Sequence, residues 1–270
     1  IISKKEVLIG GLTFLKNWII RSETSNALDK LFIRNISTNI EKELIFSDEK
    51  IYVPGVSLTQ RNRDIIWATA HIRGGMEKGM KWWKEGKLTN KKNTFEDYIH
   101  AGKYLTENNY TSKGKIIGMG GSAGGLLMGV VANQAPELFL GIIMAVPFVD
   151  SLTTNLDHSL PLTVGEFDEF GNAKDNKEHF DYIFSYAPYN NIRKMDYPHM
   201  LITTSLSDNR VLFDEPAKFT AKLREYKTDN NLLLLKTEMN AGHGGKSGRD
   251  GAIEEIAIDY AFALKISEKI

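Results

Sequence analysis

The chain has 270 residues, 42% hydrophobic and 25% charged, so it can bury a sizeable core and has the composition of a soluble globular protein. Its 34 Lys and Arg residues balance 34 Asp and Glu residues, which argues against nucleic acid or an anionic membrane as a partner. Cysteine is absent, which excludes disulfides and thiolate metal sites. No apolar run reaches the roughly 18 residues that span a bilayer, and residues 1–6 lead into no signal-peptide core, so we expect a cytoplasmic protein.

The first 60 residues predict a small antiparallel β-meander. Apolar runs at 6–9, 18–22, 30–34 and 42–46 alternate with turn residues, at about one strand per dozen residues. The pattern changes between Pro54 and Asp64. We therefore expect two domains, residues 1–60 and residues 61–270.

From Ile65 onward, strand and helix patterns alternate. This region predicts strands at 65–70, 115–119, 140–146, 200–204 and 232–236, and helices at 95–105, 126–133, 216–226 and 252–266. Thr94 is the expected N-cap of the first helix, with Asp97 as its capping-box partner, and the last helix is expected to be amphipathic. The polar and aromatic segment 150–197 is expected to form loops and short helices. The alternation predicts an α/β fold, a mainly parallel sheet with helices on both faces.

The turn between the strand at 115–119 and the helix at 126–133 has the sequence Gly120-Gly121-Ser122-Ala123-Gly124. This is G-x-S-x-G between a strand and a helix, a pattern that holds a nucleophilic serine clear of a sheet. We expect Gly120 and Gly124 to remove side chains that would clash in the strained turn. The adjoining helix N-terminus favours developing negative charge. A glycine-rich turn without a catalytic role is the alternative.

Candidate partners for Ser122 follow two later strands, because reactive groups in open α/β sheets gather beyond the carboxyl ends of the strands. Asp208 follows the strand at 200–204, and His243, between glycines, follows the strand at 232–236. The order Ser, Asp, His is that of the α/β-hydrolase triad, in which His243 would accept the serine proton and Asp208 would orient the imidazole. A loop aspartate is more often a turn residue, and His71 is the only other loop histidine that competes for the role of base.

Six motifs in one order carry a family resemblance. They are Ala70-His71-Ile72-Arg73-Gly74-Gly75, Gly86-Lys87-Leu88 with Lys91-Lys92-Asn93-Thr94-Phe95, Gly120-Gly121-Ser122-Ala123-Gly124-Gly125-Leu126, Val146-Pro147-Phe148-Val149-Asp150, Asp208-Asn209-Arg210-Val211 and Ala241-Gly242-His243-Gly244-Gly245-Lys246-Ser247-Gly248-Arg249. Residues from about 67 to 266 thus resemble the catalytic domain of the prolyl oligopeptidase family of serine peptidases, and within it the oligopeptidase B type. Residues 6–58 are similar, more weakly, to the end of that family's N-terminal β-propeller.

The resemblance implies an α/β-hydrolase fold and an endopeptidase that cuts short basic peptides after Arg or Lys, without a metal or cofactor. The triad would be Ser122, Asp208 and His243, with the Ala123 N–H in the oxyanion hole. Glu166 would be the main contact of the basic side chain, and Asp168 stands where the family usually has glutamate. Arg210 matches an arginine that holds the substrate backbone. Read without the family, the acidic segment 165–172 is a solvated loop, and Arg210 could form a salt bridge with Asp208.

The sequence also departs from the family. Nothing between Val56 and Ile65 supplies the family's Tyr- and Gly-rich loop, whose tyrosine donates one oxyanion hydrogen bond, and most of the propeller has no counterpart. Two alternatives to an active peptidase therefore remain. One is a catalytically impaired remnant or partner-binding fragment of such a peptidase. The other is a general α/β-hydrolase esterase, against which the acidic segment argues.

Overall fold

The computed structural model describes residues 8–14, 16–25, 28–43 and 68–268. The domain boundary predicted near residue 60 and the strand residues predicted at 6–7, 44–46 and 65–67 lie outside these ranges. Residues 68–70 lie inside them and form no strand, so the last half of the strand predicted at 65–70 is wrong.

The N-terminal part forms the predicted antiparallel meander. Its strands are β1 (Leu8–Phe14), β2 (Trp18–Ser25), β3 (Leu28–Asn35) and β4 (Glu41–Glu43), hydrogen-bonded in that order. Ile20 on β2 and Leu31 on β3 are buried. Four antiparallel strands are also the make-up of one propeller blade, so the meander has the form that the family resemblance implies.

The second sheet is entirely parallel. It consists of β5 (Ile116–Gly121), β6 (Phe139–Ala145), β7 (His199–Ser205) and β8 (Leu233–Glu238), again in sequence order. Side chains on β6 alternate between two cores, since Ile142 and Met144 pack on one face and Ile143 on the other. Four of the five predicted strands of this domain are thus confirmed. The apolar runs of β6 and β7 reflect burial on both faces, whereas Leu234 on β8 is 44% exposed.

Eight α-helices accompany the parallel sheet in the described part of the chain. They are α1 (Met80–Lys84), α2 (Lys92–Glu107), α3 (Ala123–Gln134), α4 (Ser151–Leu156), α5 (Phe167–Phe170), α6 (Lys177–Phe184), α7 (Asp214–Tyr226) and α8 (Arg249–Ile266). The larger core contains residues of α2, α3 and α7, and the smaller core on the opposite face contains Phe262 and Ile266 of α8. This is the predicted α/β fold, and the segment 150–197 holds the short helices expected of it.

Two local predictions about helices are wrong. The helix α2 begins before Thr94, whose hydroxyl donates to the Arg73 carbonyl at 2.7 Å instead of capping the helix. Asp97 binds Arg73 through the backbone N–H at 2.9 Å and the guanidinium at 2.6 and 2.8 Å. Both side chains therefore anchor the segment before α2. In α8 only the last turns are amphipathic, because Ile253 and Ile256 are about half exposed.

Within the ranges that the structure describes, no helix is both long and apolar enough to cross a membrane.

Candidate active site

The turn after β5 holds Ser122 in a strained conformation. Its backbone has φ 55° and ψ −119°, a combination that a residue with a side chain rarely adopts. The Ser122 N–H donates to the Ala145 carbonyl at 2.9 Å, and the Ser122 carbonyl accepts from Gly125, Leu126 and Phe148 at 2.9 to 3.1 Å. Four backbone hydrogen bonds thus hold the residue in place between the sheet and α3.

The glycines around Ser122 do not all serve the purpose that the motif suggests. A Cβ on Gly120 would lie 2.4 Å from the Gly124 carbonyl oxygen, so glycine is required there. A Cβ on Gly124 would meet nothing within 4 Å, and the expected clash at Gly124 is wrong. Gly125 is the second constrained position, since its Cβ would lie 2.4 Å from the Pro147 Cα. The G-x-S-x-G spacing gives no signal for Gly125.

Asp208 and His243 form a hydrogen-bonded pair beyond the carboxyl ends of β7 and β8. The His243 Nδ1 lies 2.8 Å from the Asp208 Oδ2. The Asp208 Oδ1 accepts from the backbone N–H groups of Arg210 at 2.8 Å and Val211 at 3.0 Å, and the residue is only 4% exposed. An ionised carboxylate only accepts, so the Nδ1 carries the proton and the Nε2 is left as the basic nitrogen.

The other histidines have different surroundings. His71 pairs with Glu77, with 3.2 Å between the Nδ1 and the carboxylate. The Nδ1 atoms of His179 and His199 each accept a backbone N–H, and His158 packs edge-on against Phe167. Among the described residues, His243 is the histidine that the structure pairs with Asp208.

A cavity opens directly beside Ser122. Its volume is about 380 Å³ when the adjoining open solvent is included, and it lies between the turn after β5, the segment 148–170 and the loop after β7. Its lining residues are Ser122, Ala123, Phe148, Thr154, Leu160, Leu162, Thr163, Glu166, Phe170, Arg210 and Val211. The structure thus brings together four of the seven predicted site residues: Ser122, Ala123, Glu166 and Arg210.

Glu166 is the only carboxylate among the residues that line this described cavity. Its pKa is raised, first by burial and then by the nearby Glu169, while Lys91 acts in the opposite direction. Asp168 does not line the cavity. Its exposed carboxylate pairs with the Lys87 Nζ at 2.7 Å. The acidic segment therefore divides into one carboxylate that faces Ser122 and others that face lysines.

The prolyl oligopeptidase family matches residues 54–269 of the chain, which is most of its length. The chain belongs to the prolyl oligopeptidase family.

Individual family members show the same relationship. Protease 2 of Moraxella lacunata is 54% identical over 202 residues, which are 75% of this chain and 29% of that protein. Dipeptidyl aminopeptidase BI of Pseudoxanthomonas mexicana is 47% identical over 217 residues, or 80% of this chain and 30% of the relative. The structure of oligopeptidase B from Leishmania major superposes with a TM-score of 0.76 at 30% identity, over 98% of this chain and 45% of that one. The chain thus spans about 30% of the length of these curated relatives.

Of the two oxyanion donors that the family resemblance implies, the Ala123 N–H lies in the described part of the chain. Ala123 is the first residue of α3, so its N–H has no carbonyl one turn earlier in the helix and stays available beside Ser122. The stretch between Val56 and Ile65, where the family's tyrosine loop has no counterpart in the sequence, lies outside the described residues.

Several residues around the cavity escaped the sequence prediction. Lys91, only 7% exposed, pairs with Glu169 at 2.5 Å, and the Trp83 indole donates to the same carboxylate at 3.2 Å. These contacts fix α5 and thereby Glu166. The family motif that contains Lys91 was the available signal, but the ion pair of Lys91 with Glu169 joins residues 78 positions apart and could not be read from it.

Among the described residues, no cluster of three or more metal-ligating side chains occurs.

Proposed function

We propose that this chain carries the catalytic domain of a serine peptidase that hydrolyses short peptides after Arg or Lys. The observation that carries the proposal is that Ser122 and Glu166 line the same cavity. A strained serine and a carboxylate that can bind a cation therefore lie in one site. The Asp208–His243 pair supports it by supplying an oriented base. Oligopeptidase B from Trypanosoma brucei, 28% identical, has been solved with covalently bound antipain, the kind of adduct that a nucleophile forms.

The proposed reaction proceeds through an acyl-enzyme. The Ser122 Oγ attacks the scissile carbonyl while the His243 Nε2 accepts its proton, and Asp208 stabilises the imidazolium that results. The Ala123 N–H donates to the oxyanion. When the intermediate collapses, the C–N bond breaks and His243 returns the proton to the leaving amine. Water then attacks the acyl-enzyme with His243 again acting as base, which releases the acid product and restores Ser122.

The cavity has the chemistry that an Arg or Lys side chain requires. Phe148, Phe170 and Val211 are buried apolar walls for the aliphatic stem. Glu166 would accept the charged end, and a guanidinium can bind a carboxylate through two parallel hydrogen bonds. Asp168 is proposed as an outer contact that must first release Lys87.

Arg210 is proposed to hold the peptide backbone from the rim of the cavity. Its backbone N–H binds Asp208, whereas its exposed guanidinium forms no ion pair with any residue in the described ranges. The guanidinium is therefore available to donate to a substrate carbonyl. This contact with Asp208 differs from the salt bridge that the sequence left open.

The organisation of the chain is part of the proposal. We assign the β-rich part to residues 1–60 and the catalytic domain to residues 61–270, with short basic peptides as substrates and the cytoplasm as the location. The zero net charge and the absence of cysteine support a cytoplasmic protein that binds neither nucleic acid nor membrane. If Ala123 supplies the single oxyanion donor, turnover should be about a hundred- to a thousandfold slower than with two.

One kinetic comparison tests the peptidase proposal. Wild type and Ser122→Ala are assayed on an Arg amide, an Arg ester and the matching Leu amide, and are treated with a fluorophosphonate. We expect turnover of both Arg substrates, preference for Arg over Leu, and loss of turnover and labelling in Ser122→Ala. Turnover of the ester alone would indicate an esterase, and no turnover or labelling by wild type would indicate an impaired remnant. Activity that survives in Ser122→Ala would exclude the mechanism.

A second comparison tests the role of Glu166. Glu166→Gln should raise the KM for the Arg amide about ten- to a hundredfold, because a charge-assisted hydrogen bond is lost, and should leave the Leu amide unaffected. Glu178→Gln, an exposed carboxamide substitution on α6, is the matched control. Equal KM values for Glu166→Gln and the control would contradict the assignment of Glu166.

A further inference from the structure

We infer that Glu215 is a positioning residue that fixes the width of the cavity beside Ser122 by joining two of the segments that line it. The inference rests on the proposed function, since it concerns the same cavity. Glu215 lies in the first turn of α7, is 2% exposed and lines no part of the cavity itself. Its effect on substrate is therefore exerted through the residues it holds.

The Glu215 carboxylate reaches across to the start of α4. Its Oε2 accepts from the Asp150 backbone N–H at 2.9 Å, and its Oε1 accepts from the Thr154 hydroxyl at 2.5 Å. These partners lie 65 and 61 positions away in the sequence. One side chain thus uses both oxygens to hold the N-terminal turn of another helix.

A second link runs parallel to the first. The Lys218 Nζ, one turn further along α7, binds the Asp150 Oδ2 at 2.6 Å. The Asp150 Oδ1 accepts from the Thr153 hydroxyl at 2.9 Å, and Asp150 is only 1% exposed. Separating α4 from α7 would leave these buried polar and charged groups without partners, which would strongly destabilise the protein. The two links therefore hold the two helices together.

The joined segments are the ones that carry the cavity walls. Phe148 and Thr154 lie at the start of α4 or just before it, and Arg210 and Val211 lie just before α7. The Phe148 N–H also donates to the Ser122 carbonyl at 3.1 Å, so this wall is tied to the nucleophile turn. A change in the Glu215 contacts would therefore move the two walls relative to each other.

The charge state of Glu215 is set by its surroundings. Its pKa is raised to about 7, chiefly by burial and also by the nearby Asp150 carboxylate, although the hydrogen bonds from Thr154 and from the Asp150 backbone, and the Lys218 charge, act in the opposite direction. Asp214, on the same helix, pairs with Lys218. The two hydrogen bonds that the Glu215 carboxylate accepts favour its ionised form, but burial disfavours that form more strongly.

Kinetics and equilibrium binding together test the inference. Glu215→Ala, Glu215→Gln and, as a control, the exposed Glu225→Ala of the same helix are assayed with the Arg amide and with benzamidine, a small aryl amidine. We expect Glu215→Ala to raise both the KM and the benzamidine Kd about tenfold, since a buried acceptor for two donors is lost. Glu215→Gln should recover most of the loss, because its amide can still accept from Asp150 and donate to Thr154.

Labelling of Ser122 by a small fluorophosphonate separates positioning from a general loss of structure, because this reagent needs no basic side chain in the cavity. Unchanged labelling of Glu215→Ala with weaker benzamidine binding supports the inference. Unchanged KM and Kd would overturn it, as would labelling that falls in parallel with binding. If wild type binds benzamidine but turns over no Arg substrate, the peptidase proposal fails while the Kd comparison still decides the role of Glu215. If wild type neither binds benzamidine nor turns over an Arg substrate, both proposals are overturned.

A second pair of variants serves if Glu215→Ala does not fold. Thr154→Val removes only the hydroxyl that donates to Glu215, and Thr154→Ser keeps it. We expect the benzamidine Kd to be about threefold higher in Thr154→Val than in Thr154→Ser, because only the serine variant keeps a donor to Glu215. Equal Kd values for the two variants would overturn the inference.

Discussion

Replacing Ser122 by glycine should stabilise the protein even though it removes the proposed nucleophile. At φ 55° and ψ −119° a residue with a Cβ is strained, at a cost of about 1–3 kcal/mol, whereas glycine adopts this conformation freely. Glycine also has more conformational freedom in the unfolded chain, which lowers the free energy of unfolding by about 0.5–1 kcal/mol and offsets part of this gain. We therefore expect Ser122→Gly to be about 1–2 kcal/mol more stable than Ser122→Ala, which keeps the Cβ.

Chemical and thermal unfolding measure this difference. For a protein of this size, 1 kcal/mol corresponds to a shift of about 2–4 °C in Tm, so the two variants should differ by about 2–8 °C. Ser122→Ala is the matched control because both variants lack the hydroxyl. If Ser122→Gly is no more stable than Ser122→Ala, the backbone at residue 122 is not strained and the reasoning is refuted.

Two further predictions concern buried carboxylates. Asp208→Asn should lower kcat by about 10⁴ with little change in KM, because the amide no longer selects the proton position on the His243 Nδ1; steady-state kinetics that show less than a tenfold loss would contradict this. Glu215→Gln should remove a pH dependence of stability. The pKa of Glu215 rises from 4.5 to about 7 on folding, so the folded protein holds this proton more tightly than the unfolded chain does. The resulting contribution to the free energy of unfolding is fully present below about pH 4.5 and is lost as the pH rises to about 7. Between pH 5 and pH 8 the wild type should therefore lose about 2.5 kcal/mol relative to the variant in urea unfolding, and a constant difference would exclude the shift.

Much of the fold could be predicted from the sequence because burial leaves a local signature. Strands β6 and β7 appear as short apolar runs because their side chains are buried on both faces of the sheet. The positions of Asp208 and His243 followed from the same reasoning, because loops after parallel strands meet at one edge of the sheet. Their hydrogen bond confirms that these two loops meet.

Local signals failed where a distant partner decided the structure. Thr94 and Asp97 have the spacing of a capping box, but Arg73, more than 20 positions earlier, engages both of them. A capping pattern cannot reveal such a competitor. Gly124 shows the converse case, since it fits the motif while its surroundings leave room for a side chain.

The supports of the cavity were beyond prediction for a related reason. Glu215 lies in a helix that the sequence predicts well, yet its partners Asp150 and Thr154 are more than 60 positions away. Spacing within one helix gives no information on such a contact. The family resemblance grouped Asp168 with Glu166, whereas in the structure Glu166 lines the cavity and Asp168 pairs with Lys87.

The long connection between β6 and β7 has a consequence for how the protein folds. Residues 146–198, 53 in number, separate the two strands and contain most of the cavity wall, from Phe148 to Phe170. Closing a loop of this length costs about 3–4 kcal/mol of chain entropy before any strand contact forms, which makes the parallel pairing a slow, late event. We therefore expect the cavity beside Ser122 to form in the same kinetic step as the pairing of β6 with β7, so that no folding intermediate contains it.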